Sequence, residues 1–204
     1  MKTFFFALFG YLSGSVLYAY VFACLLKKDG MIEKSRDRNP GTANAFLYGG
    51  FLCGILTLLG DLLKGFIPVH IYMSHCRGGL ISTFSAALVL AAPVIGHAFS
   101  LFHKLEGGKG IAVTFGCLLG LAPVWQPVMS LAVFFLLFSL VLRITPHFYR
   151  TIAAYLCTLV FLFILGCEVG VCVGFLLITS VVLLRLHLSR EYRGKVRINL
   201  LWMH

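Results

Sequence analysis

Long apolar stretches alternate with short polar segments along the whole chain. A helix needs about 20 apolar residues to cross the hydrocarbon core of a bilayer. The pattern predicts single spans over residues 4–26, 45–73 and 80–102. The apolar stretches at residues 111–142 and 151–186 are too long for one helix each, because a helix rises only about 1.5 Å per residue.

Both double-length stretches contain residues that interrupt helices. Pro123 and Pro127 lie in the first, and proline removes a backbone hydrogen bond. Gly166, Glu168 and Gly170 indicate a turn in the second. The pattern therefore predicts an all-α fold, a polytopic transmembrane bundle of about seven helices in one domain of 204 residues. The alternative is five helices, in which each double-length stretch is a single tilted span.

The composition agrees with a membrane protein. Hydrophobic residues make up 60% of the chain and charged residues 12%, against about 45–50% and about 25% in soluble domains. The mean hydropathy is +0.96. The seven cysteines form no C-x-x-C pair and lie almost entirely in apolar runs. We interpret them as small apolar residues, and not as disulfides or metal ligands.

The net charge of +10 comes mainly from basic residues in polar segments at residues 27–44, 104–109, 143–150 and 187–204. Basic loops favour the cytoplasmic side, which predicts an N-terminus outside. The first apolar stretch is longer than the core of a signal peptide, so we expect it to be retained. Membrane lipids or an anionic substrate are the expected partners, and nucleic acid is not.

Ionisable residues inside predicted spans include Asp61, Lys64 and His97. Asp61 and Lys64 are three positions apart and share a helix face. Buried charges in a membrane need partners, so the pair predicts either a polar cavity or a tether between helices. His97 follows Gly96 near the end of a span, where it is either a packing residue or part of a site.

A glycine-rich loop precedes the apolar stretch that starts at Ile111. It contains Gly107, Gly108, Lys109 and Gly110. Backbone N–H groups at a helix start bind anions, and a lysine adds a charge suited to phosphate. The spacing of a nucleotide-binding P-loop is absent. The loop alone therefore predicts either a phosphate site or a flexible basic turn.

Several segments together resemble the bacterial acyl-phosphate:glycerol-3-phosphate acyltransferases, the PlsY family. The sequences G-H-A-F at residues 96–99 and L-E-G-G-K-G-I-A at 105–112 match its second motif without gaps. Weaker matches are S-G-S-V at 13–16, G-T-A-N at 41–44 and G-D-L-L-K-G at 60–65, together with His187 and Arg193 near the end.

The resemblance implies an enzyme of the bacterial inner membrane with its active site toward the cytoplasm. Such an enzyme moves a fatty acyl group from acyl phosphate to the 1-hydroxyl of glycerol 3-phosphate, early in phospholipid synthesis. The glycine loop would hold phosphate, His187 would lie at the active site, and Asn44 would shape it.

The chain departs from the family pattern at several positions. Asp37 stands where the family has serine, and Leu47 where it has arginine. In the third motif Leu188 replaces an arginine and Arg190 an asparagine. The hypothesis is that nearby arginines supply the missing cationic contacts: Arg36, Arg38 and Arg190.

We expect positioning and electrostatics to supply most of the rate, without an acyl-enzyme, metal or cofactor. The chain is expected to be monomeric. The catalytic candidates are His187, His97 and Lys109. The phosphate-binding candidates are Gly107, Gly108, Lys109, Gly110, Lys64, Arg36, Arg38, Asn39, Asn44 and Arg190, with Asp61 and Ser15 as structural polar residues. The alternatives are a non-catalytic homologue that binds a lipid or phosphate ligand, and a small transporter.

Overall fold

The computed structural model describes residues 2–28, 30–75 and 83–200. The predicted link at residues 77–79 lies outside them. The helices are α1 (Lys2–Ser15), α2 (Tyr18–Leu25), α3 (Met31–Lys34), α4 (Thr42–Gly49), α5 (Phe51–His75), α6 (Thr83–Ala98), α7 (Ile111–Leu119), α8 (Gln126–Leu136), α9 (His147–Ile164) and α10 (Val169–Leu188). The strands are β1 (Leu142–Thr145) and β2 (Arg197–Leu200).

Within the described residues, four helices are long and apolar enough to cross a membrane: α5, α6 with its short 3-10 extension, α9 and α10. A fifth span arises if α1 and α2, which meet at a bend of 41°, are counted together. The remaining apolar helices, α7 and the segment Gln126–Val141, are shorter. A helical membrane protein is confirmed, and the count of seven spans stays a prediction.

Both double-length stretches divide as the sequence predicts. The first splits into α7 and α8 around Pro123, and the second turns between α9 and α10 near Gly166, whose φ is +63°. The predicted span over residues 45–73 is found as α5, but it begins later than expected, at Phe51. Gly50 has a φ of +87°, which interrupts the helix and separates α4 from α5.

A short antiparallel ribbon is the exception to the predicted all-α fold. Strand β1 follows a π-helical end of the α8 segment and pairs with β2, with Leu142 opposite Leu200. The backbone groups of these two polar segments find hydrogen-bond partners in each other. The ribbon joins the segment that follows α10 to the segment that precedes α9.

Glycines allow the helices to pack closely. A Cβ on Gly116 would overlap the Leu62 carbonyl of α5, and one on Gly96 would overlap the Tyr11 carbonyl of α1. Small residues are the usual means of close helix approach inside membranes. On the outer surface large apolar side chains such as Leu47 and Phe51 are 76% exposed, as lipid-facing residues are.

The polar loops collect at one end of the bundle. The segments before α4, before α7 and after α10 meet there through contacts among Asp37, Lys109 and Glu191. The N-terminus lies at the opposite end, where Thr3 donates a hydrogen bond to Ser85 over 3.0 Å. The fold therefore brings four separate parts of the sequence, including the start of α9, to one polar end.

Candidate active site

The glycine loop is buried and anchored at its centre. Gly108 N–H donates to the His97 carbonyl over 3.0 Å. A Cβ on Gly107 would overlap that same carbonyl, so the loop needs glycine to approach α6 so closely. Gly110 has a φ of +79° and begins α7 from a left-handed conformation. These contacts hold Lys109 in one place at the start of the helix.

Two carboxylates hold the ammonium of Lys109. Its Nζ lies 2.8 Å from Asp37 Oδ2 and 3.0 Å from Glu191 Oε2. Glu191 also contacts His147 Nδ1 at 3.3 Å. The lysine is only 9% exposed, so these pairs are shielded from water and are stronger than surface ion pairs.

Three hydrogen-bond donors contact the carboxylate of Asp37. Its Oδ1 accepts from Asn44 Nδ2 over 2.7 Å and from the Asn39 N–H over 3.3 Å, and its Oδ2 meets Lys109. Asn39 also accepts the Lys109 N–H over 3.1 Å. A carboxylate at the family's serine position is therefore fully accommodated, and Asn44 orients it.

Both carboxyl groups are ionised at neutral pH. Burial raises the pKa of Asp37, but hydrogen bonds from Lys109 and Asn44 and the charge of Lys109 outweigh it and lower the pKa below its ordinary value. Burial likewise raises the pKa of Glu191, and the hydrogen bond from His147 and the charge of Lys109 together lower it. Lys109 therefore sits between two negative charges.

Two cavities of about 360 Å³ each flank the loop that carries Asp37 and Asn39, and both residues line both cavities. The first, which we call the cationic cavity, contains three arginines and two carboxylates. Its charged lining residues are Asp37, Arg38, Glu106, Arg185 and Arg190. The second, which we call the loop cavity, contains the lysine and several apolar side chains. Its lining includes Thr42, Leu58, His97, Lys109, Gly110, Ile111 and Phe115.

Arg185 connects α10 to the glycine loop. Its Nη2 donates to the Gly107 carbonyl, and its guanidinium lies 5.8 Å from the centre of the Phe99 ring. The sequence did not single it out, because it lies inside an apolar stretch and outside the resembling motifs. Its position near the end of a helix that reaches the polar end is the signal that could have found it.

A fully buried network lies beside the loop cavity, and its Asp61 forms part of the cavity wall. Lys64 Nζ contacts Asp61 Oδ1 at 2.8 Å, His97 Nδ1 at 2.8 Å and the Val16 carbonyl at 2.6 Å. Thr42 donates to the other Asp61 oxygen over 3.4 Å. Lys64, predicted to bind phosphate, is thus committed to protein partners and is 2% exposed. The predicted Asp61–Lys64 pair ties α5 to α1 and α6.

Besides Lys64 and Gly108, four predicted residues lie away from the cavity walls. The side chain of His187 is exposed and lines neither cavity. Arg36 lies over the Tyr192 ring at 4.9 Å. Arg193 donates to backbone carbonyls at the end of α10, including that of Ser189 over 3.2 Å. Ser15 donates to the Tyr11 carbonyl over 2.8 Å, which is a structural role.

The other predicted residues come together. Arg38, Asn39, Asn44, Lys109 and Arg190 border the cavities with Gly107 and Gly110, and His97 joins them from α6. Gly108 lies against the His97 ring and lines neither cavity. Glu191 and His147 were missed, since they belong to segments that only the tertiary fold brings near Lys109. Among the described residues, no three His, Cys, Asp or Glu side chains cluster as metal ligands.

A sequence profile of the family described as "Glycerol-3-phosphate acyltransferase" matches residues 4–193. A relative of that name from Endomicrobium trichonymphae is 37% identical over 131 residues, which cover 63% of this chain and 61% of the relative. "Glycerol-3-phosphate acyltransferase 1" of Thermotoga maritima is 34% identical over 116 residues, covering 57% and 56%. The matched segments thus span less than two thirds of these relatives.

Two crystal structures share the fold over most of the chain. The glycerol 3-phosphate form of PlsY, an integral membrane glycerol 3-phosphate acyltransferase, superimposes with a TM-score of 0.77 and 27% identity. The match covers 91% of this chain and 88% of that one. The lysophosphatidic acid form gives a TM-score of 0.74. The profile covers nearly the whole sequence, and the chain belongs to the glycerol-3-phosphate acyltransferase family.

Proposed function

We propose that this protein transfers a fatty acyl group from acyl phosphate to the 1-hydroxyl of glycerol 3-phosphate. The observation that carries the proposal is the position of Lys109 and the glycine loop beside two cavities that share one wall. One cavity suits a small anion and the other suits an anion with an apolar tail. Relatives and solved neighbours bearing the name glycerol-3-phosphate acyltransferase support the choice of acceptor.

The cationic cavity would bind the phosphate of glycerol 3-phosphate. Arg38, Arg185 and Arg190 outnumber the two carboxylates there, and guanidinium groups bind phosphate through paired hydrogen bonds. The loop cavity would bind the acyl phosphate, with its phosphate near Lys109 and its chain against Leu58 and Phe115. The cations would offset the repulsion between the two bound phosphates.

The reaction needs little covalent chemistry from the protein. The 1-hydroxyl oxygen attacks the acyl carbonyl carbon, the bond from that carbon to the phosphate oxygen breaks, and inorganic phosphate leaves. The hydroxyl proton passes to the departing phosphate. Holding both substrates in contact supplies the main acceleration. Asp37 borders both cavities and could accept a hydrogen bond from the attacking hydroxyl, which would orient it.

The site would face the cytoplasm of a bacterial cell, and one chain would be sufficient for activity. Basic residues of the loops and tail crowd the end of the bundle that holds the cavities, as the positive-inside rule requires of a cytoplasmic end. Labelling of Lys104→Cys by an impermeant maleimide, with wild type as the blank, should occur in inverted vesicles and not in right-side-out ones.

A non-catalytic homologue is the second candidate. Two carboxylates already neutralise Lys109, and one of them replaces the family's serine. Such a protein would bind glycerol 3-phosphate or a lipid phosphate in the same cavities without transferring an acyl group.

The test is acyl transfer by the purified protein in detergent. Labelled glycerol 3-phosphate is supplied with palmitoyl phosphate or, as a control, palmitoyl-CoA, and binding of glycerol 3-phosphate is measured by calorimetry. Labelled 1-acyl-glycerol 3-phosphate formed from palmitoyl phosphate alone supports the proposal. Binding without product would favour the non-catalytic homologue. If glycerol 3-phosphate neither binds nor reacts, it is excluded as the acceptor.

A further inference from the structure

His97 has one ring nitrogen engaged by a lysine. Its Nδ1 lies 2.8 Å from Lys64 Nζ. The same ammonium lies 2.8 Å from Asp61 Oδ1 and 2.6 Å from the Val16 carbonyl, so three acceptors surround its three N–H groups. An ammonium only donates hydrogen bonds. Nδ1 is therefore the acceptor in this contact.

This contact fixes the tautomer of His97. A neutral imidazole carries one proton, and with Nδ1 accepting, that proton lies on Nε2. The carboxylate of Asp61 beside Lys64 favours the charged lysine in this buried place. A second proton on the ring would put two cations 2.8 Å apart without water between them.

The Nε2–H points toward the glycine loop. A Cβ on Gly108 would overlap Nε2, so this side of the ring lies directly against the loop. His97 lines the loop cavity together with Lys109 and Gly110. Within residues 2–28, 30–75 and 83–200, Nε2 has no hydrogen-bond acceptor.

We propose that His97 is a hydrogen-bond donor, through Nε2–H, to a ligand oxygen bound beside Lys109 in the loop cavity. We assign this oxygen to acyl phosphate, and that assignment rests on the proposed function. Negative charge grows on the carbonyl and phosphoryl oxygens during attack, and a fixed donor in a dry site stabilises it. His97 cannot also be the proton acceptor, because its one lone pair is used by Lys64.

Lys64 and Asp61 act through His97 and are positioning residues. Lys64 holds Nδ1 in its accepting state, and Asp61 holds Lys64. This arrangement explains why Lys64 is buried beside a phosphate loop without reaching the cavity, while Asp61 forms part of the cavity wall. It also gives the G-H pair of the second motif a chemical role that follows from the contacts.

Two matched variants separate the donor from a packing role. In His97→Gln the side-chain NH₂ reaches the position of Nε2 and can still donate into the cavity. In His97→Asn the carboxamide reaches only the position of Nδ1, which keeps the contact with Lys64 and removes the donor. We expect kcat for acyl transfer to fall about 100-fold or more in the Asn variant, and by about tenfold in the Gln variant.

The tautomer is measured separately by nitrogen NMR of protein labelled with ¹⁵N-histidine. The chain has seven histidines, and the spectrum of His97→Gln identifies the signals of His97 by their loss. We expect a protonated Nε2 and an unprotonated Nδ1, with the Nε2 signal moving when inorganic phosphate is added. Lys64→Met should shift the Nδ1 signal.

The outcomes distinguish this inference from the proposed function. A protonated Nδ1, or an Asn variant as active as the Gln variant, overturns the donor role even if wild type transfers acyl groups. If wild type transfers nothing, the proposed function fails and the ligand titration decides: a protonated Nε2 that moves with phosphate supports the donor, and one that does not move overturns it.

Discussion

Replacing Lys64 with methionine should destabilise the whole protein, although Lys64 lies outside both cavities. Methionine has nearly the length of lysine and no charge, so packing is largely kept. The change leaves the Asp61 carboxylate with two long contacts, to Thr42 at 3.4 Å and to His97 Nδ1 at 3.8 Å, in a place where it is 2% exposed. An unpaired buried charge is the physical cause of the loss.

The magnitude follows from the burial of the pair. Removing one partner of a buried ion pair costs about 3–5 kcal/mol, because the other charge stays desolvated. A domain of this size shifts its melting temperature by about 2–4 °C per kcal/mol. We therefore expect Lys64→Met to lower the melting temperature in detergent by roughly 6–20 °C.

The melting temperature is measured with a thiol-reactive dye. The dye reports unfolding because Cys53 and Cys117 are buried and react only when the bundle opens. The matched control is the double variant Asp61→Asn, Lys64→Met, which removes both charges and should recover most of the loss. Two results would refute the buried-pair reasoning: a single variant with the melting temperature of wild type, or a double variant with a melting temperature no higher than that of the single variant.

Three further outcomes are expected. Gly107→Ala should cut kcat/KM at least tenfold, as read from product formation, because its Cβ would overlap the His97 carbonyl. Arg185→Gln should raise the KM for glycerol 3-phosphate by about tenfold or more with less effect on kcat, since a charged hydrogen bond contributes about 1.5–3 kcal/mol; an unchanged KM contradicts the cationic cavity. Because the pKa values of Asp37 and Glu191 are lowered by folding, their stabilisation is present above about pH 4 and is lost as pH falls further. The melting temperature should therefore fall less steeply between pH 6 and pH 3 in the double variant Asp37→Asn, Glu191→Gln than in wild type.

Much of the bundle could be predicted because lipid imposes a simple pattern. Apolar length predicted the membrane helices, and the proline and glycine breaks predicted how residues 111–142 and 151–186 divide. The break at Gly50 was missed, since one glycine in an apolar run is ordinary and only its φ of +87° reveals the interruption. The β1–β2 ribbon was missed because each strand is four residues long and gains its partner only in the fold.

The site was predictable where one short segment carries it. The glycine loop and Asn44 are read from local motifs, and the structure places them beside the cavities. Arg185 and Glu191 were not found, because the sequence does not reveal which segments meet at the polar end. Lys64 was assigned to phosphate from its charge alone, and only the structure revealed that protein acceptors already surround it.

The central claim is that acyl transfer occurs at the loop that holds Lys109. The most direct measurement is the rate of 1-acyl-glycerol 3-phosphate formation from palmitoyl phosphate by wild type, Lys109→Ala and Lys104→Ala, with equal folding verified by melting curves. Lys104 is an exposed lysine five positions earlier in the same segment and serves as the matched control. We predict that Lys109→Ala loses at least about 100-fold in rate while Lys104→Ala stays within about twofold of wild type. Equal rates in all three proteins would contradict the account.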